Sequence, residues 1–241
     1  ITSSIISFYP SNFINKIWNW ARYVQMQIGD EKPLLDVTKT SCVDKWILNR
    51  MNETIQNVES NMEKYEFGIA GNELYSFIWN DFCSWYIELS KATLYSDNQE
   101  AIDTTKAVLY TVLENILILL SPFMPFVTEE IYKSLPHDKE SINLEKWPEI
   151  IAFDCCDQEK HQMQICISAI QTTREIKVDY GMKPSEDLEI CLSECVSDDI
   201  KAILKKMCHA IVIDKIESND VLSRTIDNCI FDSCTEDGFV K

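Results

Sequence analysis

Apolar residues recur at intervals of three and four from Phe13 to about Leu135, and that period commits the first half of the chain to α-helix. Phe13, Ile17, Trp20, Ala21, Val24 and Ile28 form one such row and predict a first helix over about 11–28. Gly29–Thr40 mixes Gly, Pro and charge and reads as a loop. Ser41 then stands as an N-cap with Asp44 three residues on, a relative of the capping box. It opens a second helix with Ile47, Met51, Ile55, Val58 and Met62 on one face. An aromatic-rich third helix is predicted over about 66–92. A fourth starts near Gln99 and carries a stripe from Ile102 to Leu120 wide enough to be buried between neighbours. Pro122 stops it, since an internal proline removes a hydrogen bond and clashes with the preceding turn. A short fifth helix, about 125–135, completes an antiparallel bundle.

The texture changes beyond Pro136. Residues 136–154 are irregular, and Trp147 is held extended by Pro148. The domain boundary is placed here, giving a helical bundle over 1–150 and a small α/β domain over 151–241. In the second part a helix is predicted over about 158–179, capped by Gly181, then a strand at 188–192 and a helix at 198–208. Further strands are predicted at 210–216 and 228–234. The predicted class is mainly α: an antiparallel helical bundle followed by a small α/β domain.

Composition narrows the function. Five Gly in 241 residues cannot build a β-sandwich rich in turns, nor a Gly-rich phosphate loop. No apolar run approaches the roughly 20 residues that span a bilayer, and Ile1–Tyr9 lacks the basic flank of a secretory signal. No membrane partner is expected. Ten Cys at irregular spacing read as free thiols in a reducing cytoplasm. The group Cys155, Cys156, His161 and Cys166 lacks the paired spacing of a zinc knuckle, so no metal site is expected. His137, His161 and His209 are scattered, no GxSxG motif occurs, and the acid pairs Glu129-Glu130 and Asp198-Asp199 read as solvated charge. No catalytic residue is assigned. The chain begins without Met and reads as an excised piece.

Net charge is −17, which argues against a nucleic-acid partner until its distribution is considered. Between Pro10 and Arg50 the bases Lys16, Arg22, Lys32, Lys39, Lys45 and Arg50 outnumber the acids Asp30, Glu31, Asp36 and Asp44. An anionic ligand is therefore expected to meet the first two helices. At about 100° per residue, Asn15, Asn19 and Arg22 lie opposite the apolar row of the first helix. Two readings are open: a solvated face, or a row of amide and guanidinium groups that read base edges and phosphate. On the second helix Trp46 falls roughly 140° from the middle of the apolar stripe, with Lys45 beside it and Arg50 one turn on. Either it packs under the preceding loop or it offers a stacking platform to an unpaired base. Both helices and their loop would then form one slightly basic, aromatic patch.

The segments NFINKIWNWARYV (12–24), DKWILNRMNETI (44–55), ELYSFIWNDFCSWYIELSK (73–91), LLSPFMPFVTEEIY (119–132) and WPE (147–149) resemble the anticodon-binding domain of class I aminoacyl-tRNA synthetases. The 73–91 segment looks most like the valyl enzymes, whereas the 119–132 segment is shared with the isoleucyl and leucyl enzymes. ISAIQTTREIKVDYGMKP, within 165–185, resembles the helix that opens the family's small domain. The resemblance implies an intact enzyme that joins valine to tRNA(Val) with ATP and Mg²⁺. Its catalytic domain would lie in the same chain, and a monomer is expected. The HIGH-type and KMSKS-type motifs do not occur in these residues, nor does the basic coiled coil that the resemblance places after them. This piece would read tRNA and carry no cofactor of its own. By the same resemblance Asn15, Lys16, Asn19, Arg22, Lys45, Trp46 and Arg50 are expected to touch the anticodon or its phosphates. The family's Arg before the first Asn of the motif is Ser11 here. The alternatives are the equivalent isoleucyl or leucyl domain, or a helical module that binds protein.

Overall fold

Four of the six apolar side chains that predict the first helix are buried as a row, and the other two, Trp20 and Ile28, are half-buried. Helix α1 (Ser11–Ile28) covers Phe13, Ile17, Ala21 and Val24 and leaves its opposite side to solvent. These positions come from a computed structural model that describes residues 11–154, 157–194, 196–214, 222–226 and 229–234. The chain divides into two compact units at Asp154.

In the first unit, α2 (Cys42–Glu63) starts at the predicted capping box. The Ser41 hydroxyl accepts from the Asp44 amide at 3.2 Å, and the Asp44 carboxylate accepts from the Ser41 amide at 3.2 Å. The same carboxylate also accepts from the Tyr86 phenol at 2.6 Å and from the Thr105 hydroxyl at 3.4 Å. One buried acid thus joins the start of α2 to two other elements. Burial pushes the Asp44 carboxyl above its ordinary range, although every one of these hydrogen bonds pulls it down.

The predicted third helix is continuous in space but changes character. It runs as α3 (Phe67–Ser76), a π-helical segment (Phe77–Tyr86) and α4 (Ile87–Leu94). The reason lies in the aromatic spacing. Phe77 and Phe82, and likewise Ile78 and Cys83, stand five apart and are all buried. An α-helix would splay such pairs by about 140°, whereas hydrogen bonding five residues back brings them to one side. The Ser84 hydroxyl supports the wider turn by donating to the Trp79 carbonyl at 2.6 Å.

Helix α5 (Gln99–Leu120) is the central rod, buried almost throughout from Thr104 onward. Helices α1 and α6 (Pro125–Ser134) pack on it, as do α2 and α4. The 29–40 loop is fastened to the bundle by Lys32, whose ammonium donates to Glu114 at 2.9 Å and to Asp138 at 2.8 Å. Farther on, Asn52 of α2 exchanges two hydrogen bonds with the backbone of Ile151, at 2.8 and 2.9 Å, and holds the 150–154 segment along that helix.

The second unit pairs α7 (Asp157–Asp179) and α8 (Asp198–Cys208) with a four-stranded sheet. Its strands are β1 (Leu188–Leu192), β2 (Ala210–Val212), β3 (Leu222–Ile226) and β4 (Cys229–Cys234), in the order β2-β1-β4-β3. Strand β1 is parallel to β2 and antiparallel to β4, and β3 is antiparallel to β4. Strand β3 has no counterpart in the sequence reading: LSRTI holds too few apolar residues to signal a strand. The strand predicted from 210 ends at Val212, and residues 215–216 of that prediction lie outside the described residues. Buried Lys177 holds the end of α8 to the 180–187 turn by donating to the Cys208 carbonyl at 2.7 Å and the Pro184 carbonyl at 3.2 Å.

Candidate nucleic-acid interface

Helix α1 is free of acid. No Asp or Glu occurs before Asp30, in a chain that has 39 of them. Its outward face carries Asn15, Asn19 and Arg22, all exposed as the helical spacing predicts. A line at four-residue intervals runs Ile14, Trp18, Arg22, Met26, with the two asparagines beside it. Arg22 has no ion pair among the described residues. The face therefore presents amide groups, a guanidinium and apolar surface without a competing carboxylate.

The remaining predicted site residues are placed differently. Lys16 turns inward, with its ammonium 3.6 Å from the centroid of the Trp79 ring. It also donates to the Trp79 carbonyl at 3.3 Å and the Ser84 hydroxyl at 3.5 Å. Burial holds it below the ordinary lysine range. Arg50 is committed as well, to Asp81 through two nitrogens and to Glu53. Lys45 is half-buried and lines an open groove with Thr38, Asn52 and the 150–154 segment.

Trp46 overturns the stacking platform expected there. It is 6% exposed and offers no ring face to a ligand. Helix α2 is flanked by α3, the π-helical segment and α5 together, so its covered arc is wider than its apolar stripe. Arg50, one turn on from Trp46, is held on that side by Asp81. The convergent patch falls with it. Helices α1 and α2 both pack on α5 and the π-helical segment, and neither has the other among its main neighbours. What remains of the candidate interface lies on α1 alone.

Sequence reasoning passed over Trp18. Its ring is 38% exposed and lies one turn from Arg22. The signal was available: Trp18 falls on the side of α1 away from the row Phe13, Ile17, Ala21 and Val24. Of the four residues considered for zinc, Cys155 and Cys156 lie outside the described residues, Cys166 is buried and His161 meets Glu194 at 2.9 Å. Among the described residues, no three His, Cys, Asp or Glu side chains are grouped to hold a metal ion, and no helix is long and apolar enough to cross a membrane.

The family comparison covers the chain from α2 into β1, beyond the α1 face. The family model described as the anticodon-binding domain of tRNA ligase matches residues 44–192. A valine--tRNA ligase of Bacillus thuringiensis subsp. konkukian is 46% identical over 182 residues, which is 74% of this chain and 20% of that protein. One from Staphylococcus aureus (strain JH9) is 44% identical over 207 residues, 82% of this chain and 24% of that protein. The chain thus spans a fifth to a quarter of the length of these relatives. With that family model matching residues 44–192, from α2 to the end of β1, and relatives 44–46% identical over most of its length, the chain belongs to the anticodon-binding domains of tRNA ligases.

Proposed function

We propose that this chain recognises the anticodon of tRNA(Val) through the outward face of α1, as part of a valine--tRNA ligase. The observation that carries the reading is the acid-free surface of Asn15, Asn19 and Arg22 on a protein of net charge −17. A polyanion meets repulsion over most of such a molecule and none from the charges on this helix. Unpaired anticodon bases present edges that amide and guanidinium groups can pair with, and a wrong base leaves polar groups unmatched at about 1–3 kcal/mol each. The names of the relatives favour valine over isoleucine or leucine.

In this reading the whole enzyme, a cytoplasmic monomer, joins valine to tRNA with ATP and Mg²⁺ in its catalytic domain. The residues described here contribute no group to that chemistry and act by holding the tRNA. Binding of the chain alone should be weak, because few phosphates are neutralised and the remaining charge repels, and the few ionic contacts made should be lost as salt rises. The test is binding of tRNA(Val) and of unrelated tRNAs across a salt series, with Asn19→Ala and Arg22→Ala variants. Preference for the valine anticodon at low salt, lost in both variants, is the expected result. Equal binding of all tRNAs at every salt concentration overturns the reading.

A further inference from the structure

We infer that Trp18 supplies the stacking face for an unpaired base of the bound RNA, the part that sequence alone gives to Trp46. The inference rests on α1 being the tRNA-facing helix and names the group that would grip a base there. Trp18 is the exposed indole among six tryptophans: Trp46 is buried, and Trp20, Trp79, Trp85 and Trp147 are half-buried. Trp79, the ring nearest in character, is already engaged by two neighbours. Lys16 sits 3.6 Å from its centroid, and Tyr75 stacks on it at 5.7 Å with the planes 9° apart. Trp18 has no ring partner among the described residues.

Its neighbours distinguish it from the other exposed aromatics. Tyr65 lies between Lys64 and Glu66 and meets Phe67 edge-on, Tyr95 precedes Asp97 by two residues, and Phe126 heads the helix that bears Glu129 and Glu130. Each carries acid close by that would repel a phosphate. Trp18 instead has Asn15 three residues before it, Asn19 beside it and Arg22 one turn ahead. An indole face takes any base, while a guanidinium about one helical turn away is placed for the adjoining phosphate. The combination of ring, cation and amides without a carboxylate is complementary to a single-stranded loop of RNA.

The experiment uses the whole 241-residue chain and a hairpin RNA with the anticodon stem and loop of tRNA(Val), alongside hairpins lacking one anticodon base each. Binding is read by fluorescence anisotropy at low salt, and thermal unfolding verifies that each variant folds. Trp18→Ala should weaken binding about tenfold or more, and Trp18→Phe should restore most of it. Removing the stacked base should weaken binding to the unaltered chain but add little to the loss in Trp18→Ala. If Arg22→Ala weakens binding while Trp18→Ala does not, the stacking role is wrong and the tRNA-facing helix stands. If neither variant alters binding, or the hairpin is not bound at any salt concentration, both readings fall.

Discussion

Arg50 grips Asp81 with two nitrogens, Nε at 3.1 Å and Nη2 at 3.0 Å, and so ties α2 to the wide turn of the π-helical segment. A guanidinium held this way is a structural fastener. Arg50→Ala should lower stability by about 1–2 kcal/mol, between the values for exposed and buried pairs, since Asp81 would be left partly covered without its partner. Urea unfolding measures that loss. Hairpin RNA binding by the folded variant should change little, in contrast to Arg22→Ala.

Trp46 has the same logic with larger stakes. Truncation to Ala removes a buried indole and should cost about 3–5 kcal/mol. Trp46→Phe should cost less and leave RNA affinity intact. Chemical denaturation and anisotropy on the two variants separate a packing role from a contact role.

Asp44 gives a prediction in pH. Its carboxyl is raised in the fold by burial, so the folded state holds a proton more tightly than the unfolded chain. The resulting contribution is fully present below the ordinary aspartate value of 3.8 and is lost as pH rises through the raised value. Asp44→Ala removes the carboxylate half of the capping box and strands the Tyr86 phenol, at a cost of about 2–4 kcal/mol near neutrality. The gap between the two proteins should widen as pH falls toward 4, as read by thermal unfolding in parallel buffers.

Lys32 responds at the other end of the scale. Burial opposes its charge, but Asp138 and Glu114 outweigh that and lift it to about 12. Its contribution is complete below the ordinary value of 10.5 and disappears as pH rises through about 12. Lys32→Met should lower stability at pH 8 by about 1 kcal/mol or less, because the ammonium is partly solvated. That difference should vanish in alkaline unfolding above the raised value, and the 29–40 loop of the variant should be cut faster by protease at pH 8.

The bundle was legible because its information is local. Rows at three and four residues, the Ser41–Asp44 box and Pro122 each fix an element without reference to the rest of the chain. The outward direction of Asn15, Asn19 and Arg22 follows from the same periodicity. Side chains on the flank of a helix are another matter. Trp46, Lys16 and Arg50 are decided by which element lies alongside, and the π-helical segment takes hold of two of them. Its position depends on a change of helical pitch that a scan for α-periodicity reads as one unbroken helix. Strand β3 was missed because its residues are too polar to announce a strand.

That pitch has a consequence for how the chain tolerates change in length. The π-helical segment spends its residues at a slower angular rate than the helices on either side, so Asp81 and Trp79 meet Arg50 and Lys16 at a phase set by the count of residues between α3 and α4. Deleting one residue within 77–86 would let the stretch relax to ordinary α-geometry and rotate everything downstream of the cut about the rod. The aromatic side chains beyond the cut would leave register in a single step. Insertions and deletions, more than substitutions, are the changes this part of the molecule is least able to absorb.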